Sequence, residues 1–353
     1  MKKIGILTFH FADNYGAVLQ CFALNKLLNS YTNISAEVIN YVPANFQYQK
    51  CWHTSYQRKL WVEKREKFKR FLEKNCNLGN TQVTKVVDGE YDYYCVGSDQ
   101  IWNTDPMLQE YFLPNVKCHQ KKVSYAASVG LGTNDFRLRK DIFKKYVSKF
   151  QRISVRENEH VEMMKLLTGK ECISVLDPTL LLTESDYIQL LPDKKLHEKE
   201  YVFFFWLQSN SSPLPGIELA NRLARKYEIP IVHSLYDVPY KAFYIDGGSM
   251  AYKGIEEFLW YVKNAKYIVT NSYHGAIFSI LFKKNFWVFP VESMRSRLDT
   301  LKEKLDIGVR IVEEYKTDTE VIRPVDYGVI NRNLEEERKH SFAYIQETFD
   351  ISE

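Results

Sequence analysis

The 353-residue sequence contains no C-x-x-C pair, no D-x-D and no G-x-x-x-x-G-K. Its six cysteines, at positions 21, 51, 76, 95, 118 and 172, are scattered and stand apart from any histidine pairing. Neither a zinc site nor a disulfide framework is indicated, which fits a reducing compartment. Without D-x-D, a metal-bridged diphosphate is not indicated, and without a Walker sequence there is no P-loop. Gly130 and Gly132 begin a G-x-G, but Asp135 stands where the third glycine of a dinucleotide fingerprint would be, so NAD or FAD is not supported. No resident metal or cofactor is expected. Long apolar runs are also missing: the longest, Tyr201 to Leu207, has seven residues, far too few to span a bilayer. Ile4 to Phe9 is too short for a signal-peptide core and no small-residue cleavage site follows, so a cytoplasmic location is expected. The formal charge of +4 is too small to argue for nucleic acid, although slight positivity suits phosphorylated ligands.

What is present suits a large folded protein. Hydrophobic residues make up 45% of the chain, enough to fill two cores, and 353 residues are too many for one. Aromatic residues reach 14%, with 24 tyrosines, which suits both core filling and sugar stacking.

Apolar, β-branched runs alternate with helical patterns along both halves. Lys3 to Thr8 is a buried strand, and after Asn14-Tyr15-Gly16 the pattern turns helical through Leu28; Asp13 or Asn14 would cap that helix, and Gly16 would leave its first turn open to a ligand. Tyr91 to Val96 is a strand that exits through Gly97-Ser98-Asp99-Gln100-Ile101-Trp102-Asn103, a dense set of turning, hydrogen-bonding and stacking residues. Lys122 to Ala126 exits through small residues, and a helix is expected over Asp135 to Phe150. Arg152 to Val155 ends in Arg156-Glu157, where a guanidinium could pair with its neighbour or grip a carboxylate or phosphate.

In the second half, strands are expected at Tyr201–Leu207, Pro230–His233, Tyr267–Thr270 and Phe286–Pro290, with helices at Gly216–Tyr227, Gly254–Asn264, Met294–Leu305 and Leu334–Thr348. Tyr267 to Thr270 runs straight into a helix through Asn271-Ser272-Tyr273-His274-Gly275. Ser272 can cap that helix, its open N–H groups favour an anion, Gly275 would let a ligand approach the backbone, and His274 would face the same space. Taken singly, S-x-H-G is an ordinary cap with a surface histidine. The alternation predicts an α/β fold of two Rossmann-like, doubly wound domains facing a cleft, residues 1–180 and 181–328, with 329–353 as a helix packing back on the first.

Six segments carry a resemblance: NYGAVLQCFAL from Asn14, VGSDQIWN from Val96, SYAASVG from Ser124, ISVRE from Ile153, LDPTLLL from Leu176 and TNSYHGAIFSI from Thr270. Any one is weak, but in this order, over roughly residues 5 to 310, they resemble the polysaccharide pyruvyl transferase family. The family more often has aspartate where Asn271 stands and phenylalanine where Tyr273 stands. Residues 208–254 carry no matching motif.

The resemblance implies a GT-B-like architecture and transfer of an enolpyruvyl unit from phosphoenolpyruvate to a sugar of a bacterial capsular, exopolysaccharide or cell-wall glycan, closed as a pyruvate ketal. The donor side then falls to the second domain and the acceptor side to the first. Arg156 would clamp the donor's carboxylate or phosphate, His274 would bind phosphate or deliver a proton, and Asp99 would take the proton of the sugar hydroxyl. Trp102 would stack on the sugar ring, with Asn14, Gly16, Ser98, Gln100, Ser272 and Gly275 lining the substrates and Arg297 extending the anion site. The partners implied are phosphoenolpyruvate and a hexose-containing acceptor, lipid-linked in one version. The helix Arg58 to Lys74, with eight basic and three acidic residues, would then touch the inner face of an anionic membrane. The competing readings are a nucleotide-sugar glycosyltransferase on the same architecture and a non-catalytic subunit of a glycan-assembly complex.

Overall fold

A computed structural model describes residues 1–44, 46, 54–103, 106–130, 140–207, 212–236, 242–312 and 324–351. Gly132, Asp135 and the start of the helix expected there lie outside the described residues, as does Cys51. The chain divides into two compact units: residues 1–49, 69–182 and 334–353 form the first, and 50–68 with 183–333 the second.

The first unit is built on parallel strands. β1 (Lys2–Leu7) and β2 (Ile34–Val38) are joined by α1 (Tyr15–Leu28), and α2 (Ser55–Asn75), which belongs to the second unit up to Phe68 and to the first from Lys69, leads towards β3 (Tyr93–Val96) and β4 (Lys122–Ser124). The strand order is β2-β1-β3-β4. Single bridges, Val123 to Arg152 and Ala127 to Val155, set a second parallel pair beside β4. That pair is β5 (Ile153–Val155) and β6 (Cys172–Ser174), with α3 (Lys140–Tyr146) and α4 (Val161–Thr168) preceding its two strands. Because every pairing is parallel, all carboxyl ends open on one edge.

α1 is apolar on nearly every side, and thirteen of its fourteen residues are buried. A helix of that composition is stable only when covered all round. Its two buried amides are satisfied: Gln20 donates to Thr8 Oγ1, Phe9 O and Ala17 O at 2.9, 3.1 and 2.7 Å, and Asn25 donates to Ala36 O at 3.1 Å and accepts from Asn77 N at 3.0 Å. Gly97, at the exit of β3, is small because α1 lies against it: a Cβ there would sit 3.1 Å from Leu24 Cδ2 and from Thr8 Cβ.

In the second unit, α5 (Glu184–Ile188) precedes β7 (Val202–Phe205), and α6 (Leu214–Tyr227) leads to β8 (Ile231–His233) and β9 (Asp246–Ser249). Next come α7 (Ile255–Asn264), β10 (Tyr267–Thr270), α8 (Tyr273–Leu281), β11 (Asn285–Val288) and α9 (Arg295–Leu305). The order is β11-β10-β7-β8-β9, again all parallel. β7 reads Val-Phe-Phe-Phe and is buried on both faces, as a central parallel strand requires. β9, Asp-Gly-Gly-Ser, carries no strand signal of its own; pairing with β8 at the sheet edge makes it, with a register shift between Ile231 and His233.

The last helix, α10 (Tyr327–Phe349), begins seven residues before the expected Leu334. Tyr327 holds its start in the second unit by donating to Ser279 O and Lys284 O at 3.1 and 2.6 Å. From Leu334 onward it belongs to the first unit, where Arg338 donates to Leu180 O and Leu182 O at 2.7 and 2.8 Å and Tyr344 to Ser124 O at 2.8 Å.

Candidate functional site

In each unit the strand order reverses once, between β1 and β3 in the first and between β7 and β10 in the second. In open α/β sheets the carboxyl ends at such a reversal leave a crevice between loops that diverge to opposite faces, and ligands bind there.

At the second unit's reversal, the Asn271 side chain accepts from Leu207 N at 2.7 Å and donates to Leu207 O at 3.0 Å, tying the exit of β10 to that of β7. Ser272 Oγ then accepts from Gly275 N at 3.2 Å and caps α8. His274 follows in the first turn, 8% exposed, its ring edge-on to Tyr273 at 5.3 Å. Arg297, from the first turn of α9, lies over the Tyr273 ring at 5.7 Å. An imidazole, a guanidinium and the positive end of a helix thus stand in one short stretch of this edge, an arrangement suited to a negatively charged ligand.

At the first unit's reversal, Thr8 Oγ1 donates to Ser98 O at 2.6 Å and joins the exits of β1 and β3. Asn14, exposed, caps α1: its Oδ1 accepts from Gly16 N at 2.9 Å and Ala17 N at 3.2 Å. Asp99 adopts φ +83°, a left-handed conformation unusual outside glycine, and its Oδ1 accepts from Gln100 N at 2.8 Å. Gln100 lies against Gly130, which has φ +64° and where a Cβ would come within 2.9 Å of the Gln100 side chain.

Beneath these loops runs a buried polar network. Arg156 Nη1 donates to Asp177 Oδ2 at 2.6 Å and to Ser98 Oγ at 3.3 Å, and Nη2 stands 3.8 Å from Asp99 Oδ1. Ser98 Oγ donates to Asp177 Oδ2 at 3.2 Å, and Thr179 donates to Asp177 Oδ1 from its N at 3.0 Å and its Oγ1 at 2.6 Å. Beside this network, Glu157 accepts from Ser128 Oγ and faces His160 Nδ1 at 3.7 Å. Burial alone would push the Glu157 carboxyl up, but the neighbouring His160 ring, the Arg156 charge and the Ser128 hydroxyl outweigh it and hold the group at about 2, ionised throughout the ordinary range. Burial also lowers the pKa of His10, whose ring contacts Thr8 O at 3.3 Å and Asn40 Oδ1 at 3.2 Å.

Four sequence expectations change here. Trp102 is fully buried, near-parallel to Phe112 and edge-on to Phe150, with Nε1 donating to Tyr111 O at 3.2 Å; it is core and has no ring face for a sugar. Arg156 is 1% exposed and ion-paired with Asp177, so it is an internal residue and not an open clamp. Its ion-pair partner is not Glu157, which turns to Ser128 and His160. Gly275 is small for the protein's own sake: a Cβ would lie 2.5 Å from Thr270 Oγ1 and 3.0 Å from Phe205 Cδ1. Three aromatic residues of α2 likewise point inward, Trp61, Phe68 and Phe71 being buried and therefore not presented to a bilayer, while Tyr56 in its first turn is exposed. Two of its cations serve the protein itself, Lys64 donating to Tyr236 OH at 2.9 Å and Lys67 to Glu257 at 2.7 Å. Ser98, Asp99 and Gln100 are held together in the first unit, and Ser272, His274 and Arg297 in the second. Asp177 and Gln20 had no assigned role; the Asp-Pro that follows β6 was the available signal for the former.

The family comparison agrees with the ordered motifs. A model described as polysaccharide pyruvyl transferase matches residues 14–293. The chain belongs to this family. Comparison with curated proteins gives no significant match. Among solved structures, this pyruvyl transferase chain is similar to the UDP complex of MnaA from S. aureus, with a TM-score of 0.51 and 13% identity over 98% of this chain and 91% of that one. It is also similar to a putative UDP-N-acetylglucosamine 2-epimerase from Listeria monocytogenes, with a TM-score of 0.53 and 9% identity over 100% and 98%. At such identities the likeness shows the fold, two Rossmann-like parts of the GT-B type. Among the described residues, no helix is long and apolar enough to cross a membrane.

Proposed function

We propose that this transferase moves the enolpyruvyl unit of phosphoenolpyruvate onto a sugar of a bacterial surface-polysaccharide precursor and closes it as a pyruvate ketal. The observation that carries the reading is the anion-suited edge of the second unit, where capped α8, His274 and Arg297 stand together in a chain of the pyruvyl transferase family. Phosphoenolpyruvate carries a phosphate and a carboxylate, and its reaction needs charge stabilisation and proton transfer without redox chemistry.

Protonation of the methylene carbon makes a methyl group and leaves a cationic centre on the phosphate-bearing carbon. One sugar hydroxyl adds there, phosphate departs, and a second hydroxyl closes the ring. Two hydroxyl protons are released; one balances the new methyl group and the other the departing phosphate. His274 binds the donor phosphate and is the candidate general acid, with Arg297 extending the anion site and Ser272 orienting it. In the first unit Asp99, the partly exposed carboxylate of the network, takes the proton of the attacking hydroxyl. Asn14 and Gln100 belong to the acceptor side; Gly16, buried in the first turn of α1, and Ser98, buried with its hydroxyl on Asp177 and Arg156, are internal against expectation and support these loops from beneath. The acceptor is a hexose-containing glycan, carried on a lipid or free.

The test is phosphate release measured with phosphoenolpyruvate and candidate acceptor glycans, together with a thermal-shift screen of phosphoenolpyruvate against UDP- and CMP-sugars. A true donor at about 100 times its Kd stabilises by roughly 2.7 kcal/mol. Stabilisation by phosphoenolpyruvate and acceptor-dependent phosphate release support the proposal. Stabilisation by a nucleotide sugar alone would replace it with a glycosyl transfer.

A further inference from the structure

We propose that Asp177 is a positioning residue for the transfer, holding the Arg156 guanidinium so that Nη2 faces Asp99. The idea rests on the proton-acceptor role given to Asp99 above.

Asp177 follows β6 and has Pro178 after it, so its own backbone is restricted while it caps the short 3-10 turn Pro178–Leu180. Its carboxylate is saturated. Oδ1 accepts from Thr179 N and Oγ1, and Oδ2 from Arg156 Nη1 and Ser98 Oγ. An ionised carboxylate has about four acceptor sites, and all are taken, so Asp177 has no lone pair left for a substrate proton. It is also fully buried, as is Arg156. Of the three charged groups, only Asp99 is open to any extent, with 13% of its side chain exposed.

The distances assign the division of labour. At 2.6 Å the Arg156–Asp177 contact is a direct charge-assisted bond, while at 3.8 Å Asp99 feels the same guanidinium without being tied to it. A cation compensated on its inner side can steady an outer carboxylate and leave that carboxylate able to accept a proton. Without the charge of Asp177, the guanidinium would close onto Asp99 and occupy the oxygen the reaction needs. Ser98 and Thr179 complete the device by fixing Asp177 itself.

The experiment compares Asp177→Asn, Arg156→Gln and the double variant in phosphoenolpyruvate-dependent transfer. In folded Asp177→Asn protein, kcat should fall by about 10-fold or more while KM for phosphoenolpyruvate stays within about two-fold, the loss expected when a general base is disabled. The double variant should lose no more than Arg156→Gln alone, because one residue acts through the other. Independent, multiplying losses, or a kcat close to that of the unaltered protein, overturn the proposal. If Asp177→Asn does not fold, Thr179→Val removes one donor to Asp177 and keeps the side-chain shape; an unchanged kcat there also overturns it. If the unaltered protein shows no phosphoenolpyruvate-dependent transfer, the proposed reaction is lost but the network is still decided by nitrogen-15 relaxation of Arg156 Nε. An ordered guanidinium that becomes mobile in Thr179→Val or Asp177→Asn supports the positioning role, and equal order in both forms refutes it.

Discussion

Alanine at position 275 puts the packing of the second unit's site to a quantitative test. Its Cβ would meet Thr270 Oγ1 at 2.5 Å, Phe205 Cδ1 at 3.0 Å and Ser272 Cβ at 3.2 Å. Real Cβ atoms do not sit at the first of these distances, so Thr270 or α8 must give way. Thr270 is fully buried at the end of a central strand, and its Oγ1 accepts from Ser272 N at 2.9 Å, so its retreat breaks a bond that shapes the cap of α8. Overfilling a packed core costs about 1–3 kcal/mol, and the lost buried hydrogen bond adds about 1 kcal/mol. Replacing glycine inside a helix returns up to about 1 kcal/mol. The net expectation is a destabilisation of roughly 1–3 kcal/mol, read as a urea midpoint lower by about 1 M with an unchanged slope. Adding Thr270→Ala should recover part of the loss, because the closest clash is gone while the one with Phe205 remains. A midpoint at or above that of the unaltered protein, or full additivity of the two changes, refutes the packing argument. A raised donor KM with unaltered stability would instead restore Gly275 as a residue that makes room for a ligand.

His274→Ala should cut transfer on the order of 100-fold while far-ultraviolet circular dichroism and the melting temperature stay near those of the parent, since the change removes a first-turn side chain and not the cap. Trp102→Ala should lose about 3–5 kcal/mol, but Trp102→Phe, if folded, should leave acceptor KM unchanged; a large acceptor KM effect in the phenylalanine variant would return Trp102 to the sugar site. Glu157 makes a pH prediction: its carboxyl is depressed from 4.5 to about 2, so it contributes stability that is complete above 4.5 and is lost as pH falls towards 2. Urea midpoints of the parent and Glu157→Gln should therefore differ at neutral pH and converge in that acid window, and parallel curves would falsify the assignment.

Much of the fold could be read directly. Buried parallel strands such as Tyr267–Thr270 are short apolar runs, and the helices after them change to a period near 3.6, so the exits at Asn14, Gly97 and Asn271 stood out. Chain chemistry alone does not give direction, however. Trp102 and Arg156 have the right side chains for a sugar and an anion, but their orientation depends on Phe112 and Phe150 in one case and on Asp177, twenty-one residues away, in the other. β9 was invisible because its strand character comes from its neighbour and not from its residues. Gly275 misled for the same reason: the space a missing Cβ leaves can be filled from inside, and only coordinates tell which.

The way the two units are threaded has a consequence for synthesis. The first unit takes its closing helix segment from residue 334 onward, where Ser341, Arg338 and Tyr344 hold backbone groups of Leu176, Leu180, Leu182 and Ser124. Those groups have been translated long before their partners leave the ribosome, so the half made first is finished last. Nascent chains arrested ahead of residue 334 should bind chaperones through the uncovered face, and a stop codon there should unsettle the amino-terminal half more than the half it shortens.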